Sequence, residues 1–244
     1  MNPPMVQIAG DMAVPAPRGA LTPGQRDEMF ALMDSHFEGM QRDVFNQDLD
    51  EKDWALRILR DGALVGFSTL QAYTTQQAGR EVSVIYSGDT VVSPQAWSTP
   101  VLSRGWIALV RAMQATRLDT PWYWLLLSSG FRTYRFLPVF WREFWPRFDS
   151  VGDDTTRGMV RALARERFDG CYDESAGVVR FPRPQRLRGH LNAIPEGREH
   201  DPHIRFFLER NPGHNEGDEL VCLTELSDAN LTAAGQRMVR GSTR

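Results

Sequence analysis

The sequence predicts a mixed α/β fold of the α+β type, with a central, mostly antiparallel sheet flanked by helices and a C-terminal elaboration. Three observations carry this expectation. Two β-type runs, "WALRILR" and "ALVGFSTLQAY", flank Asp61-Gly62, the strongest hairpin signal in the chain. A third β-type run, "VSVIYSGDTVV" (Val82–Val92), follows a polar turn at "TTQQAGRE" and extends the meander. Segments with apolar residues at helical spacing stand before and after these runs.

The elements follow in order. Residues 1–20 are rich in Pro, Ala and Gly and are expected to form a flexible N-terminal arm. Thr22-Pro23-Gly24-Gln25 predicts a helix start, with Thr22 as N-cap, Pro23 at the first helical position and Gln25 closing a capping box. Met29, Met33, Phe37 and Met40 supply its apolar face, and "QRDVFNQDLDEKD" is expected to be a solvated helix end or connection. After the three-strand meander, Ser98–Arg117 turns helical and "WYWLLLSS" forms a short apolar strand. "GFRTYRFLPVFWREFWPRF" is aromatic on a helical period, and Pro138 divides it or kinks it. All seven tryptophans lie between Trp54 and Trp145, which places the bulky core in residues 21–148. Residues 149–244 form an extension with helices at "DTTRGMVRALARERF", "DPHIRFFLERN" and "SDANLTAAGQRM" and strands at "GVVRF" and "ELVCLTEL".

Composition narrows the function classes. The 244 residues are 41% hydrophobic and 24% charged, enough for a substantial core. A net charge of −3 supplies no long-range attraction to nucleic acid or to anionic lipid, so neither partner is expected. Two cysteines, Cys171 and Cys222, exclude a disulfide framework. The opening residues lack signal-peptide organisation, and no apolar run approaches bilayer length. A reducing, cytoplasmic setting is the expectation.

One strand breaks its own rule. Val82–Val92 is β-branched and apolar at both ends, yet its middle holds Ser87, Gly88 and Asp89, which no core needs. Downstream, "SPQAWSTPVLSRG" opens a helix, and "SGFRTYRFL" follows the next strand.

This order of helix, hairpin, long central strand, helix, strand, aromatic helix and late strand resembles the GNAT acyltransferase superfamily. The resemblance covers about residues 20–148, with Glu219–Leu226 as a late strand. It implies a bulge midway along the central strand, and a glycine inside a strand marks such a bulge or a close backbone approach. It further implies that backbone amides near Ser87 and Gly88 polarise a thioester carbonyl, that Asp89 is the base for an amine, and that Tyr134 protonates the departing thiolate. Val91, Gln95, Ser98, Thr99 and Arg132 are the donor-binding residues it implies, around a helix N-terminus that cradles pyrophosphate. Gln95 fits the family's phosphate loop, whereas Trp97, Ser98 and Thr99 replace its small, open turn. Acyl-CoA or the phosphopantetheine of an acyl carrier protein is therefore the expected donor, and a small-molecule or peptide amine the acceptor, with no metal. The function expected is transfer of an acyl group from a thioester to an amine by direct attack.

Other constellations are weaker. A GNAT-like fold lacking its phosphate glycines could serve as a silent ligand-binding or protein-interaction module. His200, Asp201 and His203 in "EHDPH" offer metal ligands for a hydrolase, but Asp201-Pro202 reads equally as an N-cap followed by proline. Ser128-Ser129-Gly130 lacks the flanks of a nucleophile elbow.

Overall fold

The computed structural model describes residues 3–240. In chain order the elements are β1 (Val6–Ile8), β2 (Asp11–Pro17), α1 (Pro23–His36), β3 (Phe37–Glu38), α2 (Arg42–Asp50), β4 (Trp54–Arg60), β5 (Ala63–Gln77) and β6 (Arg80–Val92). Next come α3 (Val101–Gln114), β7 (Trp122–Ser128), α4 (Phe131–Tyr134), α5 (Phe136–Phe140) and α6 (Asp154–Arg167). The remainder holds β8 (Tyr172–Asp173), β9 (Val178–Val179), β10 (Arg186–Leu187), α7 (Gly189–Asn192), α8 (Pro202–Arg210), β11 (Glu219–Glu225) and α9 (Ala233–Arg240).

Nine strands form one sheet in the order β1-β2-β4-β5-β6-β7-β11-β9-β8. Every neighbouring pair is antiparallel except β6–β7, which is parallel. The sheet is thus mixed and mostly antiparallel, with helices on both faces, as the sequence predicts. β11 from the C-terminal extension pairs along β7 and belongs to the same sheet.

Local chemistry sets several of these elements. Asp61-Gly62 and Ala78-Gly79 both take positive φ, joining β4 to β5 and β5 to β6 in the two-residue turns that match strand twist. Thr22 and Gln25 form the reciprocal capping box at the start of α1. α1 stops at His36, however, so Phe37 enters β3 rather than extending the helical face.

Residues 6–17, expected to lie in an arm, are instead the first two strands, turned at Ala9-Gly10 with positive φ at both. Pro15 and Pro17 stand in β2 beyond the three residues that pair with β1, where no described strand pairs with one edge. Buried Asp11 fastens this strand. It accepts from Arg60 Nε at 2.6 Å, Arg60 Nη2 at 2.8 Å and Thr99 Oγ1 at 2.7 Å. The Arg60 guanidinium holds its carboxyl below the usual carboxylate range.

Side-chain alternation divides the core between the two faces. Ile85, Trp124, Leu126 and Cys222 point to the face covered by α3, α5, α8 and α9. Val84, Tyr86, Leu125, Leu127 and Leu223 point to the other, where α6 covers them. On that second face α1 and α2 cover Ala55, Phe67 and Val91. Between α2 and α6 the sheet is left open above Tyr86, Gly88 and Asp89, and this gap positions the site.

Candidate functional site at a strand fork

β6 and β7 run side by side only from Ser83↔Trp122 to Ser87↔Leu126. Beyond Ser87, β6 continues to pair with β5, while Leu127 and Ser128 of β7 pair with β11. Among the described strands, nothing pairs with the β7-facing edge of Gly88–Val92. The two parallel strands therefore fork.

A bulge sits at the vertex. Ser68 faces Thr90 and Leu70 faces Ser87, so Gly88 and Asp89 together oppose Thr69. Gly88 does not have positive φ. Gly88 sits at a close approach: a Cβ there would crowd Lys52 Cε and lie 2.9 Å from Thr69 Oγ1, so the lysine stem would have to shift.

Two cavities meet at the fork. One, of about 330 Å³, runs along Val91 and Val92 to the N-terminus of α3 and is lined also by Trp97, Thr99, Arg132 and Arg135. The N-cap of α3, Pro100, supplies no side-chain hydrogen bond, which leaves that helix end free of a side-chain cap on the cavity wall. The other, of about 540 Å³, lies on the opposite side between α2 and α6. It is lined by Asp48, Tyr86, Gly88, Asp89, Arg167 and Glu219 among others. Phe37, Thr90, Ser129 and Thr133 line both and mark the junction.

The second cavity concentrates buried charge. Lys52 is 1% exposed and donates from Nζ to Asp48 Oδ1 at 2.5 Å and to the Asp48 carbonyl at 3.1 Å. Its ammonium stands 5.2 Å from the centre of the Tyr86 ring. Burial, then the neighbouring Asp48 carboxylate, pushes the Asp89 carboxyl up to about 7, while Lys52 opposes the shift. Burial and the charges of Asp89 and Asp48 raise Glu219 to about 8. Asp89 and Glu219 thus ionise as a linked pair, the charge of Asp89 disfavouring that of Glu219. A basic carboxylate beside an unpaired strand edge can accept a proton while backbone N–H groups stabilise a developing oxyanion.

The structure brings together Gly88, Asp89, Val91, Thr99 and Arg132 around the fork. It separates others. Tyr134 is 0% exposed, packs against Phe144, Phe206 and Phe207, and donates its hydroxyl to the Pro146 carbonyl at 2.9 Å. Thr133, one residue earlier, is the α4 residue at the junction. The acid role expected for Tyr134 is thereby corrected: its hydroxyl is committed elsewhere in the core.

Ser87 is also committed. Its Oγ accepts from Trp124 Nε1 at 2.9 Å and Trp106 Nε1 at 3.3 Å on the α3 face, so it anchors the vertex. Gln95 and Ser98 are exposed and stand outside the cavity lining, and the Gln95 carbonyl accepts from Arg60. Thr99 lines the cavity, yet its hydroxyl donates to Asp11. Trp97, 43% exposed, donates its indole N–H to the Val92 carbonyl at 2.7 Å and carries the Arg132 guanidinium 4.3 Å above its ring. Among the described residues, no group of three or more His, Cys, Asp or Glu is arranged to hold a metal ion. No described helix is long and apolar enough to cross a membrane.

Sequence reasoning missed Asp48, Lys52 and Glu219. The segment expected to be solvated is the amphipathic helix α2, with Phe45 and Leu49 buried. Lys52 follows Phe45 at i+7 and Asp48 at i+4, and this spacing was the available signal. Glu219 alternates with Val221 and Leu223, which places a carboxylate on a buried face.

No protein-family model and no curated protein matches the chain. Solved structures do. One from Enterococcus faecalis, described as a conserved protein of unknown function and probable N-acyltransferase, aligns at 14% identity and TM-score 0.41 over 54% of this chain and 33% of its own. A GCN5-related N-acetyltransferase from Kribbella flavida aligns at 17% identity and TM-score 0.39, over 52% of this chain and 32% of its own. An acyl-CoA N-acyltransferase from Pseudomonas aeruginosa aligns at 22% identity and TM-score 0.33, over 47% and 78%. The chain spans about a third of the length of the first two. These three are described as a probable N-acyltransferase, a GCN5-related N-acetyltransferase and an acyl-CoA N-acyltransferase, all at low sequence identity to this chain.

Proposed function

We propose that this chain is a divergent GNAT-like N-acyltransferase that moves an acyl group from a thioester donor to an amine. The observation that carries this reading is the fork: a bulge at Gly88–Asp89, an unpaired edge of β6, and two cavities that meet beside it. The donor, acyl-CoA or a carrier-protein phosphopantetheine, enters along Val91 and Val92. Its phosphates lie toward the α3 N-terminus and Arg132, whose guanidinium also donates to the Leu191 and Ala193 carbonyls. The amine enters from the acidic cavity.

Asp89 takes a proton from the acceptor, and the neutral nitrogen attacks the thioester carbonyl carbon. The oxygen gains charge against backbone N–H groups of the fork. The N–C bond forms, the C–S bond breaks, and the thiolate leaves at the junction lined by Ser129 and Thr133, taking up the second proton that the nitrogen sheds as the amide forms. A thiolate is a stable leaving group near neutral pH, so the step does not depend on Tyr134.

Incubation of the protein with acyl-CoA and a panel of primary amines tests this directly, with mass spectrometry for the amide and a thiol assay for the released donor. Thiol release that requires the amine is the expected result. Stabilisation by acyl-CoA without amine-dependent thiol release would leave the binding-module reading in its place.

The pH dependence separates the members of the acidic set. kcat/KM is expected to rise with pH through about 7 as Asp89 ionises, because only the carboxylate accepts a proton. Asp48 raises Asp89 and Lys52 lowers it. Asp48→Asn should therefore move the inflection to lower pH, and Lys52→Met should move it higher, by about a unit or less each. Profiles measured with one amine hold the acceptor's own ionisation constant. Inflections that do not move would dissociate Asp89 from the rate.

A further inference from the structure

We propose that the acyl group carried by the donor is a short aliphatic chain, longer than acetyl, held in a crevice beneath α3. This inference rests on the thioester-donor reading and specifies its substrate class.

A third cavity, of about 30 Å³, opens from the junction on the α3 face of the sheet. Thr90, Leu102, Thr133 and Phe136 line both it and the donor cavity, so the two are continuous at the fork. Its walls are Trp106, Trp124, Leu126, Phe140 and Trp141. Several polar groups near it are engaged: Ser68 and Thr90 bond each other at 2.8 Å, and Ser103 donates to the Pro100 carbonyl, whereas the buried Trp141 indole N–H has no partner among the described residues. The indoles of Trp106 and Trp124 are spent on Ser87. A lining this apolar favours hydrocarbon over water.

The walls also set the size. The three tryptophan rings pack with centroids 4.4 Å, 5.0 Å and 6.1 Å apart, and Leu102, Ile107 and Leu126 complete a closely packed lining. A volume of about 30 Å³ accepts about two to three methylene-sized groups. The carbonyl carbon remains at the vertex, where the unpaired edge of β6 begins, and the tail turns away from the amine.

The test is equilibrium binding of an acyl series, acetyl to decanoyl, presented both as acyl-CoA and as acyl-pantetheine. Affinity is expected to rise about fourfold per methylene over two to three carbons beyond acetyl, the gain for a buried CH₂. It should then level or fall as the crevice fills. Leu126→Phe should flatten the rise, and Phe140→Ala should extend it to longer chains, with free CoA binding as the control that each variant is folded. Equal affinity for free CoA, acetyl and longer acyl forms would overturn the crevice assignment and leave the donor reading standing. No binding of any thioester or of CoA would overturn the donor reading itself, and the acyl assignment with it.

Discussion

Asp89→Asn lowers kcat/KM for amide formation by about 10²–10⁴, the usual range for loss of a positioned base, while donor binding is retained. Asparagine matches the carboxylate in shape, so the bulge and the Lys52–Asp48 contact have no steric reason to change. It cannot take up a proton. Asp89 lines the acidic cavity and is absent from the lining of the donor cavity. Loss should therefore fall on kcat, with little change in the calorimetric affinity for acyl-CoA. Residual activity should climb at alkaline pH, where the amine arrives already neutral. A variant with full activity at neutral pH would remove Asp89 from the base role.

The second large effect concerns the platform for the donor cavity. Gly105 lies in the middle of α3, where a Cβ would stand 2.4 Å from Ala13 Cβ of β2 and 3.3 Å from Leu56 Cδ2. Ala13 has no rotamer to vary and its strand is held on the other side by β4, so α3 itself must move. Gly105→Val is expected to cost about 1–3 kcal/mol by overpacking, a fall in Tm of about 2–12 °C for a chain of this size. Donor affinity should fall as well, because the first turn of α3 lines that cavity. Gly158→Ala is the matched control. A Cβ at that position of α6 meets nothing within 4 Å, and its expected effect is a gain of about 0.5–1 kcal/mol. Thermal denaturation distinguishes the two, and an unchanged Tm for Gly105→Val would contradict the close approach.

Where the chain announces structure by local chemistry, the sequence was readable. Asp61-Gly62, the Thr22 capping box and the β-branched ends of β6 each act within a few residues, and each produced its element. β1 and β2 were not readable, because Pro15 and Pro17 suit a loop and only a β2 edge with no described strand beside it makes them compatible with a strand. At the site, Asp89 stood out as a carboxylate in an apolar strand. Asp48 and Lys52 did not, since their segment looks like any solvated helix until the open sheet above Gly88 draws the lysine inward. Tyr134 illustrates the limit of register. One residue on a helix is a turn of about 100°, enough to send the tyrosine into the core and leave Thr133 at the junction.

The double indole contact at Ser87 has a mechanical consequence. Strands that separate without a fastening can peel or re-anneal one residue at a time, and the opening between them then has no fixed width. Here two N–H groups grip the last paired residue from one side of the sheet, while a lysine stem overlies the next residue from the other. The crotch of the fork is fastened from above and below, so under the proposed acyl transfer nucleophile and electrophile would meet at a spacing dictated by the scaffold, whatever the lengths of the molecules that bring them.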